Sequence, residues 1–213
     1  MVDVFIRTEN KEDFFEVENL TREAFWNLYF PGCDEHYLVS ILRTHRDFIP
    51  ELDFVAIHND RIVGNIMYTK SYIETNDNRR INSITFGPIS VLPEFQRQGI
   101  GSYLISYSKK IALKMGFKAI IILGDPANYC KHGFQSSRDF NITNSSGEYP
   151  LGQLVLELEK DFLKGITGKY IYSNVYNIDQ NEVDNFDKKF PPKQKGHKYS
   201  QEIFKILVRA YIK

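Results

Sequence analysis

The segment QRQGIGS, Gln96 to Ser102, joins a strand-like run, SITFGPISVLP, to a helical one, IGSYLISYSKKIALKMG. A glycine turn that opens a helix leaves several backbone N–H groups without intrahelical acceptors, at the positive end of the helix dipole. That arrangement suits a phosphate. Glycine at 99 and 101 removes the Cβ atoms that would hold an anion off, and Gln96, Arg97 and Gln98 bring side-chain donors to the same place. Read alone, the glycines fit equally a tight turn that lets the helix pack. A dinucleotide turn would want glycine at 104, where leucine stands, and a P-loop would want Gly-Lys-Ser/Thr, which is missing.

The surrounding pattern predicts the elements that must hold this turn. Residues 2–7, VDVFIR, read as a strand, and Phe14, Val17, Leu20, Phe25 and Leu28 recur at helical spacing up to Pro31-Gly32. A second helix is expected over about 34–45, opened by acidic Asp34 and Glu35. DFVAIHND and RIVGNIMYTKSYIE form a hairpin turning at Asn59-Asp60, NDNRR is a second turn, and a third strand covers Ile81 to Val91. Gly87-Pro88 interrupts that strand, and a bulge or splay is the simplest accommodation, since proline cannot donate to a ladder. Ile100, Leu104, Tyr107, Ile111 and Met115 define the helix after the glycine turn, with Gly116 placed to stop it. KAIIILGD then reads as a strand buried on both faces, so strand, helix and strand imply a parallel pair with a right-handed crossover. Further on, QLVLELE and TGKYIYSNVYNI read as strands and YSQEIFKILVRAYI as a last helix capped by Ser200. DQNEVDNFDKKFPPKQKGHK, acidic and then Lys- and Pro-rich, is expected to be a long surface loop.

The 213 residues, 42% hydrophobic, suffice for one domain with a C-terminal extension. Lys plus Arg equals Asp plus Glu at 27 each, which leaves no global field to hold nucleic acid or an anionic membrane. No leader pattern and no apolar run of spanning length is present, so a cytoplasmic protein with no membrane partner is expected. The 13 Tyr and 16 Phe suit a mixed sheet with helices packed on it.

GPISVLPEFQRQGIGSYLISYSKKIALKMGF and GDPANYCKHGF together resemble the two central motifs of the GNAT superfamily of N-acetyltransferases, most closely its YhbS-like branch. The likeness covers about residues 2–140. It implies an α/β fold, a mixed and mostly antiparallel central sheet with a splayed parallel pair flanked by helices. On this reading residues 1–140 are the acetyltransferase core, and residues 141–213 are a C-terminal extension completing the sheet and adding a terminal helix. The resemblance implies acetyl-CoA as co-substrate, with its diphosphate on the amides of Arg97, Gln98, Gly99, Ile100, Gly101 and Ser102 and with Gln96 opening the motif. It puts the pantetheine arm along Ile89, Ser90 and Val91, in the gap made at Pro88, near an amide able to polarise the thioester carbonyl. Tyr129 takes the family's place for the general acid toward the departing sulfur, with Asn128 toward the pantetheine amides and Lys131 toward the phosphates. The implied activity is direct transfer of an acetyl group to a primary amine of a small molecule or peptide, by a monomer or homodimer.

One departure concerns the base. Ser83 to Val91 contains no carboxylate, although many members carry a glutamate there, so proton removal through water is expected. Asp34, Glu35 and His36 are the candidates on the acceptor side, where Asp34 and Glu35 also fit a helix N-terminus. The missing carboxylate keeps a second class open, a coenzyme A-binding sensor or regulatory module without catalysis. Cys33 with His36, and Cys130 with His132, lack the spacing of a zinc site, and no metal is expected.

Overall fold

The computed structural model describes residues 3–213 and begins with β1, Phe5–Thr8. Val2, the start of the predicted strand, lies outside the described residues. Helix α1 runs Phe14–Phe25 and ends where Asn27 turns left-handed, and α2 runs Glu35–Leu42. Strand β2, Phe54–His58, turns at Asn59 and Asp60, both at positive φ, into the long β3, Arg61–Thr75. Strand β4, Arg80–Val91, then leads through the glycine turn to α3, Ile100–Lys114, and on to β5, Ala119–Leu123. A short helix α4, Pro126–Tyr129, precedes the small strands β6, Gln135–Ser136, β7, Ile142–Thr143, and β8, Tyr149–Pro150. After these come β9, Gln153–Glu157, β10, Gly168–Ile171, α5, Gln180–Asp187, α6, Tyr199–Leu207, and β11, Tyr211–Ile212.

One sheet runs β1-β2-β3-β4-β5-β9-β6, with β10 on the far half of β3 and β7 beside β10. Its pairs are antiparallel except β4 with β5 and β7 with β10. This is the mixed sheet with one central parallel pair that the sequence implies. Both faces carry buried apolar residues, so β5 is an unbroken AIIIL as a doubly covered strand requires.

Two features of β4 shape the site. Ile66 faces Ile89 while Tyr68 faces Phe86, so β4 holds one more residue than β3 across Gly87-Pro88: the expected bulge. Strands β4 and β5 share a single register pair, Ile84 with Ile120, and part beyond it. The second half of β4 therefore presents an edge that β5 does not use.

The chain after residue 178 differs from its sequence reading. Rather than one surface loop, residues 180–187 form α5, because Asp179 caps it by accepting from the Asn181 N–H at 2.8 Å, and Val183 and Phe186 are buried. Ser200 does not cap α6 either; Lys198 stands at that position, and the Ser200 hydroxyl donates to the Leu28 carbonyl at 2.8 Å. On α3 Ile100 and Leu104 are buried and Tyr107 and Ile111 pack partly buried against the core, as expected, joined by Ile105, Ser108 and Ala112, while Met115, just past the helix, is exposed.

Candidate active site

A cleft of about 450 Å³ opens between the end of α1, the second half of β4, the glycine turn and α4. Its floor starts at the β4 edge, where Ile89 and Val91 line it; Ser90 points the other way, its buried hydroxyl donating to Thr21 Oγ1 at 3.1 Å. Gln96 reaches back to the Val91 carbonyl at 3.1 Å and closes the turn on the strand.

The turn then rises through Arg97 at φ +60° and Gly99 at φ +94° into α3. Gly99 is the N-cap of α3 and has no side chain to satisfy the first-turn N–H groups, which leaves them for a ligand. Gln96, Arg97, Gly99, Ile100, Gly101 and Ser102 all line the cleft. Gln98 does not, since its amide donates to the Glu94 carbonyl at 2.9 Å on the exposed side of the turn.

The opposite wall follows from GDPANYCKHGF. Asp125 caps α4 by accepting from the Ala127 N–H at 2.9 Å, and Pro126 occupies the first helical position. Gly133 at φ +92° reverses the chain, so Phe134 enters the core while Asn128, Tyr129 and Lys131 stay on the cleft. The Tyr129 ring packs against Phe86 and Phe134, and burial, followed by the charge of Asp125, pushes its phenol up to about 12. The hydroxyl keeps its proton at neutral pH.

The α1 wall went unassigned in the sequence. Phe25, Leu28 and Tyr29 line the cleft, and Phe204 of α6 stacks on Tyr29 with centroids 4.3 Å apart. The segment after α6 then pairs with β8 and gives the Ala210 carbonyl to the Leu151 N–H at 2.8 Å, next to Gly152, which in turn bonds Gly124. Residues 200–212 thus run from the end of α1 to the strand beside the α4 loop. His132, weighed in the sequence only beside Cys130 as a metal ligand, is also a wall residue.

The acceptor-side candidates separate. Asp34 caps α2 by position, and Glu35, half-buried, has its carboxyl pushed well above the usual range by burial and then by the Asp34 charge. Neither lines the cleft, although Glu35 and Asp125 stand near enough to Tyr29 that their charges help burial raise its phenol. His36 corrects the expectation that it borders the acceptor. It is 0% exposed, packed on Phe186 and Phe190, with Nδ1 3.4 Å from Cys33 Sγ and Nε2 3.0 Å from Asp187 Oδ1. Burial, and then the Arg22 charge, lowers its pKa to about 4, and burial raises the Cys33 thiol, so this is a neutral packed pair with no nucleophile in it. Among the described residues no group of three or more His, Cys, Asp or Glu is placed to hold a metal ion, and no helix is long and apolar enough to cross a membrane.

The cleft has one cationic, donor-rich end and one apolar end, and no carboxylate lines it. Residues 51–136 match the acetyltransferase (GNAT) domain family. The fold is that of the solved GNAT acetyltransferases, and the chain is similar to YhbS. It is 24% identical to the N-acetyltransferase YhbS of Escherichia coli over 175 residues, 82% of this chain and 99% of that one. It is 29% identical to the E. coli N-acetyltransferase YjhQ over 126 residues, 59% of this chain and 66% of that one. The crystal structure of E. coli YhbS in complex with CoA superposes with a TM-score of 0.73 at 22% identity, over 84% of this chain and 94% of that one. A Brucella melitensis GNAT acetyltransferase in complex with acetyl-CoA gives 0.65 at 23%, over 83% of this chain and 99% of that one.

Proposed function

We propose that the protein moves an acetyl group directly from acetyl-CoA to a primary amine of a small molecule or peptide. The observation that carries this is the cleft's division, with uncapped α3 amides and Arg97 at one end and the unused β4 edge leading toward Tyr129 at the other. A diphosphate matches the first and a thioester-bearing arm the second. Ile89 and Val91 hold the arm, the amides from Arg97 to Ser102 take the diphosphate with Lys131 beside them, and Asn128 meets the arm's amides.

Acetyl-CoA supplies an activated acyl thioester. Tyr129 holds its proton toward the sulfur as the C–S bond breaks. Net transfer from a phenol at about 12 to a thiolate with a reference pKa of roughly 8.5 is uphill. The hydroxyl therefore acts as a hydrogen-bond donor during cleavage, and the thiol's proton derives finally from the amine. The amine must be neutral to attack, so its ammonium form first loses one proton through water toward Glu35, whose raised carboxyl is a better base than an exposed glutamate, and the N–H proton released as the amide forms is the one that reaches the thiolate. Wild-type protein is expected to bind acetyl-CoA in isothermal titration and to release free thiol in a screen of polyamines, amino acids, aminoglycosides and peptide N-termini.

A second reading, a coenzyme A-binding sensor, is favoured by one observation: no carboxylate lines the cleft. It expects the same titration with no amine acetylated. Absence of acetyl-CoA binding at millimolar ligand would remove both readings.

A further inference from the structure

Resting on the acetyl-CoA reading, we infer that His132 is a diphosphate-binding residue, reaching from the α4 wall to close the anion cradle that α3 opens. Its placement is built by several elements. Gly133 at φ +92° ends the turn after it, sending Phe134 inward and leaving the half-buried imidazole on the cleft. Lys109 of α3 donates to the His132 carbonyl at 2.8 Å and ties this turn to the helix. The ring then lies across the first turn of α3, with Nε2 3.4 Å from Ser102 Oγ. An anion seated on the Gly99 to Ser102 amides comes within reach of both groups, and Nε2–H and the Ser102 hydroxyl each turn from the other to a phosphoryl oxygen.

The charges facing the ring explain why it waits neutral. Lys131 stands beside it on the same turn, Lys109 approaches from α3, Arg97 lines the same cleft, and Tyr129 of α4 is uncharged. Burial, then Lys131 and Lys109, hold the imidazole below its ordinary pKa. A bound diphosphate reverses that field, so the ring takes up a proton as the ligand enters, and the contact becomes charge-assisted.

The test is titration of full-length protein with acetyl-CoA and with S-acetylpantetheine, which lacks the diphosphate, in buffers of different ionisation enthalpy near pH 7. Wild type is expected to take up a fraction of a proton with acetyl-CoA and none with S-acetylpantetheine. His132→Ala should weaken acetyl-CoA by roughly tenfold or more, abolish the uptake, and leave S-acetylpantetheine unchanged. His132→Gln, which keeps a neutral donor, should recover part of the affinity without the uptake. The Lys109 bond is to the main chain and survives in both variants, and an unchanged Tm certifies the fold. Acetyl-CoA affinity unaltered in His132→Ala, or equal losses for both ligands, overturns the inference alone. A wild type that binds neither ligand overturns the acetyl-CoA reading and this with it.

Discussion

Asp187 Oδ1 sits 3.0 Å from His36 Nε2 and 2.6 Å from Arg22 Nε, so one carboxylate of α5 pairs with the buried Arg22 guanidinium and lies against the buried, neutral His36 ring. Its neighbour Phe186 packs on the His36 ring. The C-terminal chain is thereby pinned to the end of α1, from which it goes on to Tyr29.

His36 makes the protein acid-sensitive in a defined window. Its folded pKa, about 4, lies below the ordinary 6.5, so between these values the unfolded chain binds a proton that the folded ring refuses. Stability from this group is fully present above 6.5 and is lost as pH falls toward 4, by up to about 3 kcal/mol. Thermal unfolding of wild type and His36→Gln at pH 7 and pH 4.5 checks this: the variant's Tm should fall less between the two.

Gly101 is the cleaner probe of the anion cradle than Gly99. At Gly99 any side chain meets φ +94°, so a loss of binding there would be mixed with strain of roughly 1 kcal/mol or more. At Gly101 an added Cβ finds only Val91 Cγ2 at 3.8 Å and Ile89 Cδ1 at 3.9 Å, ordinary contacts. Gly101→Val should keep its Tm within a few degrees and lose acetyl-CoA binding by at least roughly tenfold, read by titration calorimetry.

Much of this site was legible because its cause is local. Asp125, Pro126 and Gly133 announce the short helix and its reversal, and Gly87-Pro88 announces the bulge, since caps and ladder defects depend on neighbours in sequence. What escaped depends on distant packing. Helix α5 has a polar sequence and forms because Val183 is buried and Phe186 packs on Tyr37 of α2, while Asp187 finds Arg22, 165 positions away. Phe204 on Tyr29 joins two segments whose patterns say nothing of each other. His36 looked available beside acidic residues, but α5 encloses it.

Tyr129 can be disturbed without touching it. An added Cβ at Gly124 would overlap the Tyr129 ring, with Cε2 nearest and Cδ2 at 2.9 Å, so Gly124→Ala must push the ring from its place. Tyr129→Phe removes the donor and leaves the ring. Both are expected to lower kcat by roughly a hundredfold, with the acetyl-CoA Kd within a few-fold of wild type. A normal kcat in Tyr129→Phe would show that its hydroxyl does not assist the leaving sulfur, and a normal kcat in Gly124→Ala alone would mean the ring accommodates.

A second buried carboxyl sets the alkaline side. Asp53 is pushed up to about 9, first by burial and then by Glu9, within a group where Arg43 pairs with Glu9 at 2.7 Å and Glu18 at 2.6 Å. One cation faces three carboxyls, and the protonated Asp53 relieves the excess. Its folded pKa lies above the unfolded value of 3.8, so its contribution is complete below about 4 and is lost as pH rises toward 9, opposite in sign to His36. Asp53→Asn mimics the protonated form and keeps the Asn65 amide, 3.3 Å away, in contact with an oxygen. Its Tm relative to wild type should rise between pH 6 and pH 8.5; a difference that stays constant across that range would show Asp53 ionised in the folded chain.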